Sequence, residues 1–198
     1  CDWSSDVCSS DLRKYLVVVG LFTLGNSSDM FLLLRAQDLG IPAAQIPLLW
    51  ATISLVTTLF GTPLSGLSDR FDRRYFIVIA WVVFVVFYYG MSLGDISITG
   101  LIVLFGLYGL FKAATEGVEK AMVADMAPQR LMGTAFGWFN LISGLMLFPA
   151  SFIFGWLYET ISPAYAFIFS GSCAFIAVIL MVFWVNGHHS KESSGQIL

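Results

Sequence analysis

Four ionisable residues stand close together inside an otherwise apolar stretch: Lys112, Glu116, Glu119 and Lys120. At about 100° per helical residue they fall within roughly one quadrant, while Asp125 lies on nearly the opposite face. Two chemistries fit such a stripe. Lys112 with Glu116, and Glu116 with Lys120, can neutralise each other as an i, i+4 ladder that ties helices together. Alternatively the stripe binds a charged solute or passes a proton, because a carboxylate in a low-dielectric cavity can load and release one near neutral pH. Far upstream, Asp29 is followed by Arg35 and preceded by Asn26. With no partner on its own segment, Asp29 is the better proton candidate, and a pair with Lys112 across a bundle is a packing hypothesis. For Arg35 the expectation is outward snorkelling to an interface.

These residues need a scaffold, and the composition says which kind. The 198-residue chain is 58% hydrophobic and 12% charged, with eighteen phenylalanines. That is too little charge to cover a water-soluble domain of this size. Six apolar segments, 14–37, 45–67, 75–94, 99–126, 132–158 and 164–186, each reach spanning length. Helices are the expected form, because open strands leave backbone groups unpaired in lipid. The connections carry helix punctuation: Gly40-Ile41-Pro42, Gly94-Asp95, Pro128 and Ser162-Pro163. Charge away from the ends occurs only in the first and fourth segments. A spacing of three between polar helices is what a 3+3 repeat produces, with the first helix of each triplet facing a central cavity. The fold expected is therefore an all-α membrane protein of six transmembrane helices in a 3+3 repeat. A stripe of four charges cannot face lipid, so it must face other helices or water.

Orientation follows from the basic residues. Arg13 and Lys14, then Arg70, Arg73 and Arg74, then Arg130 and finally Lys191 fall on one side of a chain that crosses six times. The positive-inside rule puts both ends of this segment in the cytoplasm, in a cell (inner, cytoplasmic) membrane. Trp50, Trp81, Trp138, Trp156 and Trp184 sit near segment ends, as an interfacial belt would have them. In the fifth segment, Gly133, Gly137 and Gly144 are expected to permit close helix packing, and Pro149 a bend.

Residues 1–12 resemble the in-frame translation of a sequencing adapter and are read as a non-native scar. Residues 13–187 then form the bundle and 188–198 a disordered cytoplasmic tail. Discounting Cys1 and Cys8 leaves Cys173, a small buried hydrophobe that cannot form an internal disulfide. No metal-ligand cluster, phosphate-binding glycine loop or nucleophile–base set is legible, so no catalytic residue, metal or cofactor is expected. The net charge of −3 suggests no nucleic-acid partner.

The loop Ser65-Gly66-Leu67-Ser68-Asp69-Arg70-Phe71-Asp72-Arg73-Arg74 resembles the conserved loop of the major facilitator superfamily, G-x-L-x-D-R-x-G-R-R. Leu67, Asp69, Arg70, Arg73 and Arg74 match, while Ser65 and Asp72 replace glycines. Asp125-Met126-Ala127-Pro128-Gln129-Arg130-Leu131-Met132-Gly133 resembles the family's D-x-x-P-x-x-x-R-G hinge, with Met132 in place of the arginine. The resemblance implies the C-terminal six-helix half of a twelve-helix transporter, whose N-terminal half is missing here. The first and fourth helices would then line the central cavity. Asp69, Arg70, Arg73 and Arg74 would form a cytoplasmic latch with Asp125. Asn26, Asp29, Lys112, Glu116, Glu119 and Lys120 would lie on the path of substrate or proton. The implied activity is secondary transport of a small solute by alternating access, coupled to protons, as an exporter or an organic-solute permease. A sensor or assembly module that kept the fold is the alternative, and a membrane-embedded enzyme lacks a catalytic set.

Overall fold

The computed structural model describes residues 10–68, 72–94 and 96–185, and everything described is helix or short connection. In chain order the helices are α1 (Ser10–Gly25), α2 (Met30–Asp38), α3 (Ile46–Ser68), α4 (Arg73–Ser92), α5 (Ile98–Met126), α6 (Met132–Thr160) and α7 (Pro163–Trp184). Single 3-10 turns, Ala43–Gln45 and Gln129–Leu131, lead into α3 and α6. Side chains start several helices. Ser97 Oγ accepts from Gly100 N at 3.2 Å, and Ser162 Oγ accepts from Ala164 N at 3.3 Å ahead of Pro163. Asp72, which stands where the loop motif has glycine, caps α4 by accepting from Arg74 N at 3.0 Å.

Among the described residues, six stretches are long and apolar enough to cross a membrane, and α1 with α2 make up the first of them. That span is broken, which the apolar length of segment 14–37 conceals. The break is the polar run Asn26-Ser27-Ser28-Asp29. Asn26 N still reaches the carbonyls of Phe22 and Thr23, and Ser28 N finds Ser151 Oγ on α6 at 3.3 Å. Backbone groups freed inside an apolar layer are thus paired again from within the protein. At the end of α1 position 25 admits only glycine: a Cβ there would fall 2.7 Å from the carbonyl of Ser170 on α7.

The helices pair in a pattern that repeats on exchange of the triplets. Helix α3 packs along α5 as α1 packs along α6, and α4 packs on α5 as α1 packs on α7, with α4 and α7 meeting in the middle. Each triplet holds an odd number of spans, so equivalent helices run in opposite directions, which is an inverted 3+3 repeat. The core lies among α1, α4, α5 and α7. Phe22, Trp81, Phe84, Phe87, Tyr88 and Tyr108 are buried there in one aromatic cluster. Helices α3 and α6 are mostly exposed.

Several expectations need correction. Trp81 is not an interfacial aromatic: it is fully buried, because its indole N–H finds a carboxylate, described below. Arg35 does not snorkel outward. It is buried, and donates from Nε to Met91 O at 3.3 Å and from Nη2 to Leu93 O at 3.0 Å. Those carbonyls close α4 and have no partners in their own helix, so a cation is favoured there. Among the described residues, Gly133, Gly137 and Gly144 mediate no close approach, since a Cβ on any of them meets nothing within 4 Å. They lie on the exposed side of α6, which runs on through Pro149 as one helix. Gly155 is the α6 glycine that does pack, with its Cβ position 3.1 Å from Phe31.

Candidate functional site

The break makes Asp29 the N-cap of α2 with its side chain not spent on capping, and that side chain reaches α5. Lys112 Nζ donates to Asp29 Oδ2 at 2.5 Å, and the Tyr108 hydroxyl donates to Oδ1. Tyr108 and Lys112 are i, i+4 on α5, so one face presents a phenol and an ammonium to the same carboxylate. Lys112 Nζ also lies 5.6 Å from the Tyr108 ring centroid and 5.7 Å from that of Trp50 on α3, within cation–π range. The pair is partly buried, with side-chain exposures of 34% and 23%.

Beside it opens a cleft of about 460 Å³ between α1, α5 and α6. Asn26, Lys112, Glu116, Glu119 and Lys120 line one wall, and Asn140 and Gly144 of α6 the other. Glu116 also borders a second cleft, of about 690 Å³, between α3 and α5. The i, i+4 ladder along α5 does not form: among the described residues Lys112 pairs with Asp29, and neither Glu116 nor Lys120 makes an ion pair. Lys112 ahead of Glu116 is the weaker i, i+4 order, and the Asp29 partner across the bundle outcompetes Glu116.

Glu119 is held differently. Trp81 Nε1 of α4 donates to Glu119 Oε1 at 3.0 Å. The indole is clamped by Phe22 of α1, stacked 4.2 Å away with the rings 4° from parallel. The hydroxyl of Tyr15 donates to the backbone carbonyl of Glu119 at 3.3 Å. The structure therefore brings together all six residues expected on the pathway. It adds Tyr108, Trp81 and Trp50, which sequence reasoning missed. Tyr108 carried a signal, being one turn before Lys112 on a face already marked by charge.

The latch residues divide. Arg73 Nη1 meets Asp125 Oδ2 at 2.5 Å and Ala121 O at 3.1 Å, joining α4 to the end of α5. Arg74 does not join them. It donates from Nε to Met181 O at 3.3 Å and from Nη2 to Val182 O, capping the end of α7. Asp69 and Arg70 lie outside the described residues.

Six apolar spans in an inverted repeat, with charge gathered on one cleft wall, define an integral multi-pass membrane protein. Residues 15–198 match the Major Facilitator Superfamily, and the chain belongs to that family. It is similar to the uncharacterized MFS-type transporter MJ1317 of Methanocaldococcus jannaschii, at 34% identity over 179 residues, covering 87% of this chain and 44% of the relative. A second protein of that organism, the uncharacterized MFS-type transporter MJ1560, is 28% identical over 149 residues, covering 73% of this chain and 37% of the relative. The uncharacterized MFS-type transporter YitZ of Bacillus subtilis is 24% identical over 153 residues, covering 77% of this chain and 92% of that protein. The chain thus spans less than half the length of the first two relatives. These relatives carry the names of transporters, not of enzymes.

Proposed function

We propose that this chain forms one six-helix half of a secondary active transporter, which moves a small solute across the cell membrane by alternating access. Residues 13–187 are the bundle, and both ends of the segment are cytoplasmic. The partner that completes the pathway is an N-terminal six-helix half. The reading rests above all on the Asp29–Lys112 pair beside a polar cleft, where the first span is broken. Charges this deep in an apolar layer are costly, and they are kept where solutes or ions pass. Asn26, Asp29, Lys112, Glu116, Glu119 and Lys120 are the solute and proton residues of this half. Arg73 with Asp125, together with Asp69 and Arg70, hold the cytoplasmic end closed while the other side is open, and Arg74 ties α4 to the end of α7. The driving ion is the proton, and the solute is an exported compound or an organic nutrient.

The test is a proteoliposome assay with an internal pH dye, on the full-length protein. An inward proton gradient is imposed, and amino acids, sugars and lipophilic cations are offered in turn. A solute that dissipates the gradient in the parent, and fails to in Asp29→Asn and Glu116→Gln, supports the reading. Gradient-independent flux, or unchanged coupling in both variants, removes it.

A further inference from the structure

The cleft holds several carboxylates, and their surroundings separate them. Asp29 has both oxygens taken, one by a cation and one by a phenol. Protonating it would cost the contact with Lys112. Glu116 is exposed at the junction of two clefts. Glu119 is the odd one. One of its oxygens accepts from the neutral indole of Trp81, and the other has no partner among the described residues. It faces the same cleft, so water can reach it.

The charged and titratable groups around Glu119 are few. On its own helix, Lys120 is adjacent and lines the same cleft without pairing with Glu119, Glu116 is one turn back, and Lys112 is engaged by Asp29. From α1 comes Tyr15, whose hydroxyl is spent on the Glu119 carbonyl, and Lys14, whose pair at 3.3 Å is Asp11 of the segment read as non-native. From α4 comes Trp81, and Arg73, which is bound to Asp125 and Ala121 O. From α6 come Asn140 and Ser143, both uncharged. No cation is in ion-pair contact with Glu119 among the described residues.

We propose that Glu119, seated on the Trp81 indole, is the group of this cleft that takes up and releases a proton, while the Asp29–Lys112 pair handles the solute. The proton arrives from water in the cleft at the free Oε2, and the indole N–H keeps the carboxyl in place in both states. Trp81 is a positioning residue here, and also a reporter. Its N–H bonds a carboxylate in one state and a carboxylic acid in the other, so its emission should follow the proton. The assignment rests on the transport reading only for its purpose, since the titration itself needs no solute.

The experiment uses the full-length protein in lipid nanodiscs, with every tryptophan except Trp81 replaced by Phe. Emission is followed as the pH is varied. One single-proton transition is expected. It should be absent in Glu119→Gln and retained in Asp29→Asn. A transition that survives Glu119→Gln, vanishes in Asp29→Asn, or is missing from the parent overturns the assignment. Should Glu119→Gln fail to assemble, infrared difference spectra of Trp81→Phe decide instead. The carboxylic-acid band should persist there with a displaced midpoint, and an unmoved midpoint rejects the indole contact. A titration that behaves as expected, in a protein whose solute flux ignores pH, leaves the Glu119 assignment standing and removes only proton-driven transport.

Discussion

Asp29 and Glu119 stand near one cleft, and the chain holds them by opposite means. Asp29 sits at the break as the N-cap of α2, and its uncommitted side chain spans a gap to meet a cation and a phenol. Glu119 sits within a 29-residue helix and cannot reach, so a neighbouring helix brings an indole to it. The first arrangement stores its energy in opposite charge, and the second in shape and one directed hydrogen bond. A charge pair can be exchanged for another charged species, whereas a shaped socket holds one group in place.

Substitutions can break or sharpen this contrast. The largest loss is expected in Asp29→Ala, which strands the Lys112 ammonium. Its cost should approach the low end of the roughly 3–5 kcal/mol seen when a buried pair loses one partner. Adding Lys112→Met should recover more than half of that in detergent unfolding, and losses that simply add would mean the pair is not one unit. Next comes Trp81→Phe, which keeps the stack on Phe22 but deletes the donor to a carboxylate. The expected cost is about 1.5–3 kcal/mol, and a cost near zero would put Glu119 and Asp29 on the same footing.

Asp125→Ala is the reference for a charge pair without burial. The Asp125 side chain is 60% exposed, so losing its contact with Arg73 should cost about 0.2–1 kcal/mol and fade at high salt. Smallest of all is Gly144→Ala on the facing wall, expected within about 0.5 kcal/mol in this chain alone, since its Cβ position is empty. If Gly144→Ala cost as much as Trp81→Phe, packing rather than the carboxylate contacts would hold the cleft together.

Much of this was legible before any coordinates. Long apolar runs and short punctuated loops specified six spans, because lipid leaves few alternatives. The meeting of Asp29 and Lys112 was foreseeable, since a lone charge in a membrane needs a partner. What stayed hidden has physical causes. The run Gly25-Asn26-Ser27-Ser28-Asp29 is rich in turn residues, yet apolar flanks on both sides give it the length of one helix. Trp81 lies close enough to a segment end to read as interfacial, and only the packing of α4 against α5 reveals its partner. Arg35 was misread because free carbonyls at a neighbour's helix end leave no mark in sequence. Gly133, Gly137 and Gly144 suggested packing, but their neighbours are not in this chain's described structure.

Arg35 has a mechanical side as well. The nine-residue α2 is a rod of about 14 Å, pinned at its far end to the last carbonyls of α4 and jointed at its near end by Asn26–Asp29. The joint separates it from α1, which is bedded against α6 and α7. At the far end Asp38 accepts from the Tyr158 hydroxyl of α6, so the rod braces the end of α4 against α6. The carboxylate that grips Lys112 stands at the opposite end of that brace.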